Sequence, residues 1–292
     1  MSLMRRLGLC RAYLSRRRDF DCSLADLAGN LLRPTCAVLA KAHISEIAAA
    51  GGHRRVSFRG LAEPLYWPNH IPLHSLYMVT VESSDERDWH YYEAPETKVE
   101  RGDVVLDCGA AEGLFSLRAM GRARCVVIEP SPVFVGSLKE TFRGKGNVQI
   151  VPHALGSREG FAYLSRGTLD SALAGTAGQE SPAGAVKVRT TTIDRLVAEL
   201  GLARVDYIKG DLESFELEVL KGAERTIRDW MPKIAMTTYH RGNDWKEMRD
   251  YVLGLAPGYA WRVKGLSWED SSPKPVMIHF WKPGARGPEE VR

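Results

Sequence analysis

The run Val104-Val105-Leu106-Asp107-Cys108-Gly109-Ala110-Ala111-Glu112-Gly113 constrains this 292-residue chain more than any other stretch. Val104 to Leu106 suit a buried parallel strand, and Gly109 and Gly113 let the backbone turn sharply beneath a ligand. A second apolar run, Cys125-Val126-Val127-Ile128, ends in Glu129, 22 residues after Asp107. A strand, a glycine turn and a distant acid together predict a nucleotide-binding βαβ unit, with the terminal carboxylate placed for a ribose diol. The turn lacks Gly-x-Gly-x-x-Gly and carries Asp107 at its mouth, where an anion repels pyrophosphate. These residues point to a cationic amino-acid ligand ending in adenosine, S-adenosylmethionine, with Asp107 and Glu129 at its two ends. The blander alternatives are a helix cap for Asp107 and a salt bridge for Glu129.

With 44% hydrophobic and 26% charged residues, the composition is that of an ordinary soluble globular protein. Six arginines (Arg5, Arg6, Arg11, Arg16, Arg17, Arg18) precede the first acid, Asp19, and removing them from a net charge of +4 leaves the rest at −2. A basic body that grips nucleic acid is therefore not indicated. Leu3, Leu7, Cys10 and Leu14 line one face of an N-terminal helix, which could rest on an anionic membrane surface or a partner, or pack on its own domain. A homo-oligomer remains open. Five cysteines without paired spacing argue against a disulfide framework and a zinc site and fit a reducing cytoplasm. No signal peptide is evident near Met1, and Asp26, Asn30, Arg33, Pro34, Lys41 and Glu46 break the apolar stretch 24–50.

Residues 1 to about 50 show helical spacing closed by Gly51-Gly52, and Leu76 to Val81 reads as a short strand. The expected division is an accessory helical region 1–75, a main domain 76–283 and a tail 284–292. Strands are expected near 103–107, 125–129, 148–151, 204–210 and 233–238, alternating with helices, so the fold class is α/β with a parallel sheet covered on both faces. Tyr259–Val263 and Val276–Trp281 predict a terminal antiparallel pair. Ser165–Ala185, rich in Gly, Ala and Ser, reads as a functional loop or a surface insertion. The aromatic and histidine cluster Trp67, His70, His74, Tyr77, Trp89, His90, Tyr91 and Tyr92 reads as core more than as a sugar platform.

A second constellation runs from Val205 to Ala223. Its Lys209, Asp211, Glu213, Glu216, Leu220, Gly222 and Ala223 fit the pattern Lys-x-Asp-x-Glu-Gly-x-Glu, a helix, then Leu-x-Gly-Ala, apart from Ser214 in place of Gly. With the first motif, Glu129-Pro130 and Ala154-Leu155-Gly156, the chain resembles the FkbM-type methyltransferases over roughly residues 100 to 240. The resemblance implies a class I methyltransferase Rossmann-like sheet, order 3-2-1-4-5-7-6 with the last strand antiparallel, behind a helical N-terminal extension. It also implies S-adenosylmethionine as donor, held by Asp107, Gly109, Ala110, Glu112, Gly113, Glu129, Pro130, Ala154 and Asp211. Two positions depart from the family. Ala111 stands where Asn is usual, with Glu112 available to compensate. Ser214 stands where Gly is usual and is expected to cap a helix.

Methyl transfer to a hydroxyl needs alignment and a group to take the proton, near the C-terminal ends of the central strands. Asp211, Glu213 and His240 are the candidates. An imidazole poised near neutrality makes His240 the best-tuned base, unless it is structural. Glu213 can orient substrate or pair with Lys209, Asp211 can serve the cofactor, and Glu216 and Glu218 read as a dipole-friendly first turn and a solvated face. Two acids, Asp211 and Glu213, are too few to argue for a metal. The resulting expectation is a cytoplasmic O-methyltransferase for a small-molecule or glycan acceptor: a sugar, glycan precursor or natural product. An N-methyltransferase for an amine or peptide, or a non-catalytic cofactor-binding protein at a membrane assembly, is the alternative.

Overall fold

The computed structural model describes residues 3–16, 19–164, 173–176, 185–240, 242, 244–267 and 273–284. Most of the glycine-rich stretch 165–185, the residues Arg17 and Arg18, and the tail from 285 onward lie outside the described residues. The N-terminal part holds α1 (Leu3–Arg16), α2 (Leu24–Leu31) and α3 (Cys36–His43), followed by an antiparallel sheet of β1 (Ile44–Ala50), β2 (His53–Phe58) and β3 (Leu65–Pro68). Ser23 opens α2 with a full capping box, exchanging bonds with Asp26. Gly51-Gly52 does not stop a helix. It turns a hairpin in which Ala50 faces His53, with Gly51 at φ 59°. The expected strand at Leu76–Val81 is helical, inside α4 (Leu73–Ser84). Its β-branched residues mislead, because burial recurs at Leu76, Thr80, Ser83 and Ser84, a helical spacing, and Thr80 bonds back to the Leu76 carbonyl.

The main sheet begins with β4 (Val104–Cys108), α5 (Leu114–Ala119), β5 (Arg124–Ile128), α6 (Pro132–Thr141) and β6 (Val148–Val151). A second sheet follows, built from β7 (Ala154–Leu155), β8 (Gly160–Leu164), β9 (Leu173–Thr176) and β10 (Val186–Thr191), in the order β7-β10-β8-β9. The chain then returns through α7 (Ile193–Glu199), β11 (Tyr207–Gly210), α8 (Glu216–Lys221), α9 (Glu224–Trp230), β12 (Lys233–Thr237), α10 (Trp245–Leu255), β13 (Ala260–Lys264) and β14 (Met277–Trp281). The seven-stranded sheet has the order β13-β14-β12-β11-β4-β5-β6, and only β14 runs against its neighbours. In order of appearance this is 3-2-1-4-5-7-6, the class I methyltransferase arrangement.

Alternation along each strand sends side chains to two faces. Leu106, Cys108, Val126, Ile128, Ile208 and Ile234 enter one core with α7 to α10, while Val105, Val127, Tyr207 and Ala235 enter the other with α5 and α6. Val56, Phe58, Leu65 and Trp67 of the N-terminal sheet join this second core, so packing crosses the expected boundary at residue 75. Leu9, Tyr13, Phe20 and Leu27 form a separate cluster against Leu266. Among the described residues, no helix is long and apolar enough to cross a membrane.

Candidate functional site

A cleft opens at the carboxyl ends of β4, β5 and β11, where ligands of open parallel sheets bind. One half is built by the glycine turn. Gly109 has φ 70°, and a Cβ there would collide with the Asp211 carbonyl oxygen. The close approach of the two strand ends thus requires glycine. Ala111 follows at φ 45°, a left-handed conformation that Asn tolerates better, which accounts for the residue usual in the resembling family. Glu129 faces the turn from the end of β5. Its carboxylate accepts from Ala111 N at 2.9 Å and from Ser131 N at 2.8 Å, yet still lines the cleft. Burial pushes its pKa up to about 7 despite those two bonds.

Of the residues expected to hold the cofactor, Gly109, Ala110, Glu112, Glu129, Pro130, Ala154 and Asp211 line this cleft. Asp107 and Gly113 do not. Asp107 is fully buried, accepts from Ser116 Oγ at 2.7 Å and pairs with Lys209 Nζ at 3.2 Å. The register explains it: Lys209 lies directly beside Asp107 on β11, so both side chains leave the sheet on one face. Lys209 also donates to Gly109 O at 2.6 Å, fixing the turn from below. Burial alone would push this lysine down; Asp107, Asp211 and Glu112 outweigh it and raise its pKa. Lys209 therefore pairs with Asp107 rather than with Glu213. Gly113 is a packing glycine, since a Cβ at its φ of 84° would press on Leu138 and Phe142.

The other half gathers residues from four separate segments. Asp211, just beyond β11, accepts from Tyr92 Oη at 2.7 Å, and His90 Nε2 and His240 Nε2 stand 3.7 and 3.6 Å from its oxygens. Burial would raise the Asp211 carboxyl, but His90, His240, Lys209 and Tyr92 outweigh it and hold it at about 2. Glu82, Glu213 and Tyr239 line the same end of the cleft. His240 is only 7% exposed; its Nδ1 meets Glu216 Oε1 at 2.7 Å, and its Nε2 lies 3.5 Å from Glu213 Oε2. Burial pushes this imidazole down, and the bond to Glu216 with the charges of Asp211, Glu216 and Glu213 overcomes that, lifting it to about 9. His240 is thus an imidazolium at neutral pH, not a base poised near 7.

Three local readings need correction. Glu216 is fully buried, not an exposed first-turn acid: it holds His240, accepts from Thr237 Oγ1 at 2.8 Å and from Leu212 N at 3.1 Å. Ser214 is not a cap. Phe215 takes the cap position of α8 without a side-chain bond, and Glu213 and Ser214 both have positive φ, 49° and 87°. Only glycine adopts such angles freely, which gives a physical reason for the Gly usual at position 214 in the resembling family. The aromatic cluster divides between roles: Trp67 is core, bonded to Ile71 O, whereas His90 and Tyr92 reach Asp211. Glu218 remains at the surface with Lys221 and Ser157.

The glycine cradle, the acid Glu129 and the apolar walls from Ile128, Phe134 and Leu155 fit an adenosine with a ribose diol at Glu129.

A model of the methyltransferase FkbM domain matches residues 107–259, just over half of the chain. The hexuronic acid methyltransferase AglP of Haloferax volcanii is 27% identical over 152 residues, 52% of this chain and 62% of that protein. The chain therefore spans about three-fifths of the length of this curated relative. Among solved structures, the methyltransferase FkbM of Methylobacillus flagellatus aligns with a TM-score of 0.46 at 19% identity, over 88% of this chain and 60% of that one. The fibrillarin of Aeropyrum pernix, in complex with S-adenosyl-L-methionine, aligns with a TM-score of 0.38 at 12% identity, over 82% of this chain and 98% of that one.

Proposed function

The chain belongs to the FkbM methyltransferase family; from that premise we propose that it is an S-adenosylmethionine-dependent enzyme that methylates a hydroxyl of a sugar, glycan precursor or related natural product. Asp211 carries the reading. It lines the cleft beside the Gly109 turn, is held ionised, and offers an acceptor where a substrate hydroxyl would meet the cofactor. When bound, the cofactor supplies an electrophilic methyl group on sulfur. The protein must bring oxygen, carbon and sulfur into line and take up the hydroxyl proton as its acidity rises.

In this reading Glu129 and the Gly109–Ala111 turn fix the adenosine end. Tyr92 fixes one oxygen of Asp211, and the hydroxyl donates to the carboxylates of Asp211 and Glu213, which accept its proton during transfer. His240, clamped by Glu216, positions that pair from behind. The relative that methylates a hexuronic acid supports a sugar-type acceptor. The acceptor end, with Asp211 held ionised and Glu213 beside it, favours a hydroxyl over a substrate carboxylate, which it would repel. The same acidity gives a second reading, a cationic amine acceptor. Five unpaired cysteines support a reducing compartment such as the cytoplasm.

The test is release of S-adenosylhomocysteine by the full chain with neutral sugars, uronic acids and amines as acceptors. Turnover on neutral sugars, reduced about 100-fold or more in kcat by Asp211→Asn, is expected. Turnover on amines alone would establish the second reading, and turnover on uronic acids that yields a methyl ester of the carboxylate, with none on neutral sugars, would overturn the hydroxyl assignment.

A further inference from the structure

The first helix meets the rest of the molecule with one face only. Leu9, Ala12 and Tyr13 of α1 are buried and pack with Phe20, Leu27 and Leu266, and Trp89 lies against the same cluster. Leu7, Arg11 and Leu14, spaced four and three residues apart, lie on the opposite side and are exposed, the two leucines by 61% and 77%. Packing of this helix on its own domain is thus met by Leu9, Ala12 and Tyr13, and the leucine face stays uncovered among the described residues.

A single exposed leucine is ordinary on a protein surface. Here the exposure is concentrated: of nine large apolar side chains exposed among the described residues, five, Leu7, Leu14, Leu24, Leu32 and Val38, fall within the first 38 residues. The same segment carries the basic excess, six arginines before the first acid against −2 for the remainder. The acids that follow are engaged within the chain, Asp26 in the capping box with Ser23 and Asp21 at 3.6 Å from Arg262. Arg33 turns inward to Asp85 and Asp88, which ties this region to the segment bearing His90 and Tyr92.

We propose that the α1 face bearing Leu7, Arg11 and Leu14 seats the protein on an anionic lipid surface. Leucines in an arginine-rich helix suit the boundary of a bilayer, where apolar side chains enter the acyl layer and guanidinium groups stay with phosphates. At 14 residues α1 is about 21 Å long, too short to cross, so it lies along the surface. A second copy on this face is disfavoured, because two-fold pairing brings two arginine-rich segments together.

The 292-residue chain is sedimented with vesicles of phosphatidylcholine alone, and of phosphatidylcholine with an equal part of phosphatidylglycerol. Binding to the anionic vesicles only is expected, weakened by about 0.5 M salt through screening. Leu7→Ser combined with Leu14→Ser should lower partitioning about tenfold or more, and Arg11→Gln about fivefold. Unchanged circular dichroism and melting temperature identify folded variants, and Arg11→Gln carries the test should the leucine pair not fold. Absence of binding to the anionic vesicles overturns the proposal, as does binding that the folded leucine pair leaves unchanged, which is adsorption by charge alone. A dimer that the same pair of substitutions dissolves, with no vesicle binding, would assign the face to a second copy and overturn it equally.

Discussion

The two ends of the cleft are built by different means. The cofactor end comes from one contiguous βαβ unit, where turn glycines and a single acid just beyond the next strand, bonded to the Ala111 N–H of the turn, do the work. The acceptor end is assembled from α4, the segment around Tyr92, the β11–α8 corner and the end of β12, and its side chains are held by one another. Geometry at the first end follows from local backbone conformation and at the second from long-range packing. The first should therefore fail through backbone and stability changes, and the second through altered chemistry in a folded protein.

The largest stability effect is expected below the turn. Asp107→Asn leaves Lys209 buried without its charge partner and should cost about 3–5 kcal/mol in urea unfolding. The paired change Asp107→Leu with Lys209→Met should recover much of that loss. Cofactor affinity lost without any change in stability would instead assign Asp107 to the ligand. Gly109→Ala comes next, because it combines a positive φ with a collision at the Asp211 carbonyl; a loss on the order of 3 kcal/mol is expected. Gly121→Ala, with open space around the new methyl, is its control and should leave the melting temperature almost unchanged. The smallest effect is at the acceptor corner: Ser214→Gly removes a positive-φ strain and should stabilise the chain by about 1 kcal/mol. A decrease in melting temperature would show that the serine side chain contributes more than its backbone costs.

What could be read beforehand follows the same division. β4, the turn and β5 were legible because hydrophobic alternation, glycine and a terminal acid are local signals, and they located Glu129 at the cleft. The same signals misplaced Asp107, since its direction depends on which neighbour the register sets beside it. Lys209 two residues before Asp211, with an acid one residue before the end of β4, was the available clue. Glu216 was misread because a first-turn helix acid is usually solvated, and only the arrival of β12 beside α8 turns it inward toward His240. Tyr92 and His90 lie more than 100 residues from Asp211, so nothing in spacing could join them to it. The helix at Leu73–Ser84 was hidden by β-branched residues that tertiary packing overrides.

The central claim is that Glu129, as a carboxylate, holds the ribose of the cofactor. Its pKa in the folded chain is raised to about 7 from 4.5 by burial, so the stability it contributes is present below 4.5 and is lost as pH rises through 7. Ribose hydroxyls donate to the ionised form, so binding has the opposite dependence and strengthens through the same interval. Calorimetric titration of S-adenosylhomocysteine should give an affinity about tenfold weaker at pH 6 than at pH 8, with Glu129→Gln weaker at both and lacking that dependence. Affinity that is flat with pH and unchanged in Glu129→Gln would contradict the account.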